Sequence, residues 1–136
     1  MGQNLPVILV IEDDDAIQTI LETALSDAGF EPAIAPSGEE AVTLLQGVRE
    51  KYRALVIDIG LRGRLDGWEV ARMAREIDPE FPIIYMSGNR VADWPVNGVP
   101  NSLMLAKPFA PAQLVTAISN LLNSGMPTIQ SRTADS

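Results

Sequence analysis

The chain has 136 residues, no cysteine and no histidine, and its formal net charge at pH 7 is −8. This length fits one domain with a continuous core. The missing cysteine and histidine exclude disulfide scaffolds, thiol nucleophiles, zinc ribbons and most hydrolase triads. The acidic charge disfavours nucleic acid and anionic membranes as main partners, and no apolar run approaches the roughly 18 residues of a membrane span. We expect a cytoplasmic protein without a membrane segment or a nucleic-acid partner.

The first third of the chain alternates strand and helix patterns. Val7 to Ile11 is a continuous apolar run that predicts a buried strand, and it stops at an acidic stretch, residues 12–15. Apolar residues at helical spacing then predict a helix that ends near Gly29. Residues 30–35 predict a short strand, and Pro32 indicates an edge position because proline lacks a backbone donor.

The middle of the chain continues this alternation with a helix and a third strand. Ser37 and Glu40 form a capping-box pattern that predicts the start of the helix. We expect its buried stripe to consist of Ala41, Leu44, Leu45 and Val48. The apolar run from Ala54 to Ile57 then predicts a buried strand that ends on Asp58, whose side chain we expect to face solvent.

The remaining elements complete an α/β pattern. A third helix is predicted to begin near Asp66, residues 82–87 and 103–106 predict two further strands, and Pro111 suits the first turn of a last helix. Prolines and a glycine between residues 90 and 100 predict a shortened or irregular fourth helix. We therefore expect a three-layer sandwich with a doubly wound, five-stranded parallel sheet. Its domain would span residues 1–124, and residues 125–136 would form a flexible polar tail.

Chemically useful side chains follow four of the predicted strands. Glu12 and Asp13 come after the first, Asp58 after the third, Ser87 ends the fourth and Lys107 follows the fifth. Because the carboxyl ends of parallel strands share one sheet edge, these groups are expected to meet in one pocket. Three carboxylates repel one another and need a cation, for which Mg²⁺ is the natural choice. Asp58 could then attack a phosphoryl group while the ion, Lys107 and the Ser87 hydroxyl neutralise its charge.

This set of residues, with Pro108 after Lys107, resembles the receiver domain of bacterial two-component response regulators over about residues 6–123. The resemblance implies the flavodoxin-like strand order 2-1-3-4-5 and a cis Lys107–Pro108 peptide bond. It also implies a histidine kinase or phosphotransfer protein as phosphoryl donor, an unknown downstream protein as target, and a possible homodimer. Because the stretch after the last helix is short and polar, the chain resembles the single-domain type of receiver.

The resemblance further assigns roles to the site residues. Asp58 would be the phosphoacceptor, Asp13 and Asp58 would bind Mg²⁺ together with the carbonyl oxygen of Gly60, and Glu12 would assist through a water molecule. The residues that would contact the phosphoryl group are the switch hydroxyl of Ser87 and the ammonium of Lys107.

Several positions differ from the usual receiver pattern. The loop after Asp58 is one residue longer, and it carries Arg62 and Arg64, which we interpret as solvated surface charges rather than contacts to a partner or the phosphoryl group. Met104 replaces the aromatic switch of many receivers and is interpreted as a core filler. Trp94 is interpreted as packing its segment onto the domain rather than as an exposed anchor.

Three other functions are alternatives to a phosphorylated switch. A degenerate receiver that binds partners without phosphorylation stays open, although the intact acidic set argues against it. A Mg²⁺-dependent phosphohydrolase of the haloacid dehalogenase type needs a second aspartate where this chain has Gly60. A flavodoxin needs hydroxyls and amides in its first loop, where residues 12–15 are acidic. We therefore expect a signalling domain and not an enzyme.

Overall fold

Residues 5–124 are described by the computed structural model, and they form one parallel sheet with helices on both faces. The strands are β1 (Val7–Ile11), β2 (Glu31–Ala35), β3 (Tyr52–Asp58), β4 (Ile83–Ser87) and β5 (Leu103–Ala106). The helices are α1 (Asp15–Asp27), α2 (Gly38–Gly47), α3 (Gly67–Ile77), α4 (Trp94–Asn97) and α5 (Pro111–Ser124). None of the helices within residues 5–124 is long and apolar enough to cross a membrane. The predicted tail, residues 125–136, lies outside the described residues.

The strands pair in the order β2-β1-β3-β4-β5, and every pair is parallel. The predicted three-layer, doubly wound fold is therefore confirmed. β2 lies at one edge of the sheet, a position that tolerates the missing backbone N–H of Pro32. β1 and β3 are neighbours, and Ile11 is in register with Ile57. This register brings Glu12, which follows β1, and Asp58, the last residue of β3, to the same point of the sheet edge.

The sheet separates two apolar clusters, because alternate residues of each strand point to opposite faces. One cluster packs the sheet against α2 and α3, and the other packs it against α1 and α5. The strand residues of the first cluster include Leu9, Ile11, Leu55, Ile57, Ile83 and Tyr85. Those of the second include Ile8, Val10, Ala54, Val56, Ile84 and Met86. With both faces covered, the strand interiors are mostly apolar, and charged side chains lie at or near the strand ends.

Side-chain caps begin three of the helices. The carboxylate of Asp14 accepts hydrogen bonds from the first turn of α1, and Ser37 Oγ accepts one from the N–H of Glu40 in α2. Asp66 and Glu69 form a complete capping box at the start of α3, with distances of 2.9 and 3.0 Å. These caps satisfy backbone donors that have no partner within the helix, so each crossover has a defined start.

The predicted buried stripe of α2 is partly wrong. Leu44 and Val48 are exposed, whereas Val42 is buried. The helix ends at Gly47, so Val48 follows its last turn and does not continue the helical spacing. Residues 41, 42 and 45 form the face that the helix turns toward the sheet, as the 3.6-residue period allows.

The fourth helix is short, as predicted. A 3₁₀ turn, Val91–Asp93, leads into the single turn of α4, in which Pro95 occupies the first turn. A proline at that position is tolerated because its missing N–H would have no helical partner. The following Gly98 and Pro100 prevent continuation, so the chain reaches β5 as an irregular segment.

Side chains fix this irregular segment to the core. The hydroxyl of buried Tyr85 accepts a hydrogen bond from the N–H of Val99 at 3.0 Å. Trp94 Nε1 donates to Ser102 Oγ at 2.9 Å, and Ser102 Oγ donates to the Val99 carbonyl oxygen at 2.6 Å. Trp94 is half-buried against the core, in agreement with a packing role.

Candidate phosphoacceptor and metal site

The structure brings together the acidic side chains that were predicted to meet. Glu12 and Asp13 follow β1, Asp58 is the last residue of β3, and one carboxylate oxygen from each lies within 4.8 Å of the others. Each residue stands where a buried apolar strand ends, so the pocket is a direct result of the parallel pairing of β1 with β3. Two of the three side chains are buried and Asp13 is half-buried.

Lys107 supplies a positive charge inside this cluster. Its Nζ lies 3.3 Å from Asp58 Oδ1 and 3.4 Å from Glu12 Oε1. The backbone N–H of Lys107 donates to the carbonyl oxygen of Ser87 at 2.8 Å, which holds the end of β5 beside the end of β4. The Lys107–Pro108 peptide bond is cis, as the family resemblance implied.

Asp58 is less exposed than expected. Only 7% of its surface is accessible, although the end of a strand was predicted to place this side chain in solvent. The side chain lies instead among the other members of the cluster, with Lys107 on one side. Gly60, two residues further on, donates its N–H to Asp58 Oδ1 at 3.1 Å. Asp58 is therefore held by a fixed backbone donor and by an ammonium.

Glu12 has a strongly perturbed acidity. Burial, followed by the negative charge of Asp58, raises its pKa from an ordinary value of 4.5 to about 7, even though Lys107 acts in the opposite direction. The Glu12 carboxyl group is therefore harder to ionise than an exposed glutamate. A divalent cation would offset this penalty by favouring the ionised form, and carboxylate oxygens are suitable ligands for such an ion.

Asp13 is paired with Arg62, whose side chain is exposed, as predicted, but also contacts the acidic cluster, which was not predicted. Asp13 Oδ2 accepts both the backbone N–H of Arg62, at 3.0 Å, and its Nε–H, at 3.1 Å. Burial acts to raise the pKa of Asp13, but these hydrogen bonds and the charge of Arg62 outweigh it and lower the pKa overall. The longer loop after β3 therefore reaches back to the acidic cluster.

The same loop is attached at a second point. Glu39, in the first turn of α2, accepts the N–H groups of Arg64 at 2.8 Å and Leu65 at 3.1 Å. Gly63 between these anchors has a φ of +109°, a conformation that glycine adopts without strain. At the end of the loop, a Cβ on Gly67 would lie 2.7 Å from a backbone oxygen of β3, so only glycine allows α3 to begin this close to the strand.

Ser87 completes the set at the end of β4. Its Oγ accepts hydrogen bonds from the N–H groups of Asn89 at 3.3 Å and Arg90 at 2.7 Å. Both bonds use oxygen lone pairs, so neither consumes the hydroxyl hydrogen. The side chain is buried and fixed at the sheet edge, with its donor available to an anion.

The family of the chain follows from a comparison with family models. A model described as response regulator receiver domain matches residues 8–119. The chain belongs to this family. It is therefore a receiver domain of two-component signal transduction, and the flavodoxin-like fold predicted from the motifs agrees with this assignment.

Curated relatives of this receiver domain are response regulators. CpdR of Brucella abortus, a response regulator receiver protein, is 36% identical over 117 residues, which are 85% of this chain and 95% of CpdR. PrrA of Mycobacterium tuberculosis, a transcriptional regulatory protein, is 34% identical over 89% of this chain and 52% of PrrA. AfsQ1 of Streptomyces coelicolor is 43% identical over 61% of this chain and 35% of AfsQ1. The receiver domain thus spans between about a third and a half of several longer relatives.

Solved receiver structures have the same fold. A response regulator receiver protein from Sinorhizobium medicae shares 44% identity, with a TM-score of 0.84 over 88% of this chain and 96% of that one. The receiver domain of the sensor histidine kinase PA1611 from Pseudomonas aeruginosa shares 28% identity, with a TM-score of 0.77 over 88% of this chain and 98% of that one. That structure contains a magnesium ion coordinated in its active site cleft.

Sequence reasoning located the cluster but missed the groups that surround it. Gln18 Nε2 donates to the backbone carbonyl of Glu12 at 2.6 Å, and Glu39 anchors the loop after β3. Neither contact has a signal in the sequence, because both residues stand among ordinary polar positions of helices. Arg62 did have one, since it lies in a loop that is longer than usual.

Proposed function

We propose that this receiver domain accepts a phosphoryl group on Asp58 from a histidine kinase or phosphotransfer protein. The observation that carries the proposal is the contact of Lys107 Nζ with the buried Asp58 carboxylate at 3.3 Å, beside two further carboxylates. Signalling would then proceed by protein contact or by onward phosphotransfer. Catalysis by the domain is confined to phosphoryl transfer to and from Asp58.

The chemistry assigns one role to each side chain. An oxygen of Asp58 attacks the phosphorus of a phosphohistidine, the phosphorus–nitrogen bond breaks, and the histidine nitrogen leaves with the electron pair. Lys107 neutralises negative charge on the transferring group from its position next to Asp58. Ser87 donates its hydroxyl hydrogen to a phosphoryl oxygen. The N–H of Gly60 holds the Asp58 carboxylate in a fixed orientation during the attack.

The acidic cluster fits a Mg²⁺ ion. Asp13 and Asp58 would bind it with the carbonyl oxygen of Gly60, and Glu12 would assist through a water molecule. The donor set consists of oxygens only. Burial and then the charge of Asp58 raise the pKa of Glu12, and a bound cation would offset this effect. When bound, the ion supplies positive charge to the phosphoryl oxygens.

The test is phosphorylation by a small phosphodonor in the presence of Mg²⁺, followed by intact mass measurement. Wild-type protein is expected to gain one phosphoryl group, and Asp58→Asn is expected to gain none. Asp27→Asn, a substitution of an exposed aspartate at the end of α1, serves as the matched control and should be labelled like wild type. Equal labelling of all three proteins would contradict the assignment of Asp58. Absence of labelling in all of them would favour a receiver that binds its partners without phosphorylation, and sustained phosphate release from an unrelated monoester would favour a phosphohydrolase.

Partners are proposed as classes only. A histidine kinase or phosphotransfer protein would donate the phosphoryl group, a downstream protein would read the state of Asp58, and two copies of the chain could pair. Because AfsQ1 and PrrA are named as transcriptional regulatory proteins, the absence of nucleic-acid contacts stays a prediction. The division into a domain over residues 1–124 and a tail over residues 125–136 also stays a prediction.

A further inference from the structure

Arg62 and Asp13 form an asymmetric ion pair. The backbone N–H and the Nε–H of Arg62 both bind the same oxygen, Asp13 Oδ2. The side chain of Arg62 is 83% exposed, whereas that of Asp13 is 18% exposed. The arginine therefore reaches the pocket from solvent, and its long side chain can leave without disturbing the core.

The loop that carries Arg62 does not depend on this pair. Glu39 holds the backbone N–H groups of Arg64 and Leu65, and the capping box at Asp66 fixes the start of α3 immediately after them. Departure of the Arg62 guanidinium would leave these bonds in place. Its contact with Asp13 is thus a local one that can be exchanged for another cation.

An exchange of Arg62 for another cation would change the net charge that the pocket offers to a metal ion. Three carboxylates face two cations, Lys107 on Glu12 and Asp58, and Arg62 on Asp13. With all three acids ionised, one net negative charge is left for a divalent ion. Without Arg62, the same pocket would present two. Positive charge beside a ligand weakens the attraction of that ligand for a further cation.

We propose that Arg62 is an internal counter-cation that competes with Mg²⁺ for Asp13 and so sets the Mg²⁺ concentration at which the pocket is filled. The proposal rests on the proposed function, because it takes Asp13 as a ligand of the ion. The Arg62 guanidinium is paired with Asp13 Oδ2 while no metal is bound, and it leaves this oxygen when Mg²⁺ binds. Because the pair is exposed, the competition is modest in size.

A purely orienting role for Arg62 makes the opposite prediction. If the arginine held Asp13 in the geometry that the ion requires, removal of the side chain would weaken Mg²⁺ binding. Competition requires that removal strengthens it. The direction of the change therefore separates the two roles.

The experiment is a Mg²⁺ titration of unphosphorylated protein followed by amide NMR shifts at Asp13 and Asp58. Arg62→Gln is expected to bind Mg²⁺ roughly two- to fivefold more tightly than wild type, the range that an exposed ion pair can supply. Arg62→Lys, which keeps the charge, should lie between the two. Arg64→Gln is the matched control: it removes the same charge two residues further along the chain, and the Arg64 side chain does not contact Asp13. The Mg²⁺ affinity of this variant should stay close to that of wild type.

A second readout follows the arginine itself. The Nε–H resonance of Arg62 in wild type should shift with the same midpoint as the amide of Asp13, because the ion displaces it. Equal or weaker Mg²⁺ binding by Arg62→Gln, with its fold intact by circular dichroism, overturns the competition and leaves the proposed function standing. Absence of Mg²⁺ binding by wild type, under conditions where a solved receiver binds it, would overturn both.

Discussion

Glu12 is the most constrained titratable side chain of the receiver site, with 1% of its surface exposed. Burial, which is the largest effect, and the negative charge of Asp58 disfavour its ionisation, whereas Lys107 favours it. The balance leaves a pKa of about 7 in place of 4.5, so the folded protein binds a proton at Glu12 more tightly than the unfolded chain does. The stabilisation that results is fully present below about pH 4.5 and is lost as the pH rises through about 7.

This linkage predicts the behaviour of Glu12→Gln without metal. At pH 5 the variant and the wild type should have similar free energies of unfolding, because both carry a neutral side chain at position 12. At pH 8.5 the variant should be more stable by roughly 1–3 kcal/mol, because it avoids a buried, ionised carboxylate. Urea denaturation in a chelator at both pH values measures the difference. Glu22→Gln, on the exposed face of α1, is the control and should show no such pH dependence.

At the scale of single residues, the sequence predicted which residues form the site better than it predicted the contacts between them. Glu12, Asp13, Asp58, Ser87 and Lys107 could be identified because each ends an apolar strand or follows one, a position that the chain pattern reveals. The prediction that Asp58 faces solvent was wrong, because the side chain beside it, Lys107, follows β5 and lies 49 residues later in the chain. Contacts of this kind depend on packing between distant segments and have no local signal.

Among the elements, the segment between β4 and β5 differs most from a regular helix-and-strand pattern. It is held by side chains in place of a helical hydrogen-bond ladder. Arg75 of α3 donates to the carbonyl oxygen of Pro100 in this segment at 2.6 Å and to that of Phe81, just before β4, at 2.7 Å, so α3 ties the segment to the start of β4. Tyr85 of β4 holds the same segment by accepting a hydrogen bond from the N–H of Val99. The short α4 is thus coupled to two regular elements.

The contact between Tyr85 and Val99 predicts a measurable loss of stability. Tyr85→Phe keeps the buried ring but leaves the Val99 N–H without its acceptor, which should lower the free energy of unfolding by about 1–3 kcal/mol. Chemical denaturation monitored by circular dichroism gives the value. Tyr52→Phe removes the hydroxyl of the other tyrosine, which accepts no hydrogen bond from a described residue, and should change stability by less than half as much. A similar loss in both variants would mean that Tyr85 acts through packing alone.

Hydrophobic periodicity and composition were sufficient to predict most of the helices and strands. The five strands could be predicted because apolar runs of four or five residues are interrupted by acids, glycines and prolines, and the irregular fourth helix because it contains Pro95 and Gly98. The orientation of α2 could not be predicted from the sequence. Leu44 and Val42 both fit a helical stripe, and which of them is buried depends on how the helix packs on the sheet. The position of the loop after β3 depended on Glu39, a contact between elements.

In the molecule as a whole, one edge of the sheet collects polar and charged side chains from the ends of β1, β3, β4 and β5. Any ligand at this edge joins strands that are distant in sequence, so its binding free energy adds to the stability of the entire fold. The rest of the surface is dominated by acids, in keeping with the net charge of −8. A cation at the site also relieves part of this repulsion.

Thermal unfolding should therefore depend on Mg²⁺. At tenfold excess over its dissociation constant, the ion should stabilise the wild type by about 1.4 kcal/mol, which corresponds to a rise in Tm of roughly 3–7 °C. Asp13→Asn should lose most of this rise, and Asp27→Asn should keep it. Differential scanning calorimetry with Mg²⁺ or with a chelator measures all three. An equal rise in Asp13→Asn would show that the ion acts elsewhere on the acidic surface.

The unequal environments of the two tryptophans give the receiver domain an internal optical probe. Trp68 is 4% exposed and packs against Tyr85 with ring centroids 4.8 Å apart, whereas Trp94 lies half-buried in the segment that replaces a full fourth helix. An indole in an apolar core emits at shorter wavelength and is shielded from acrylamide, so quenching of fluorescence should select Trp94. The intensity and wavelength of Trp94 emission would then report conformational changes of the irregular segment directly, without an added dye.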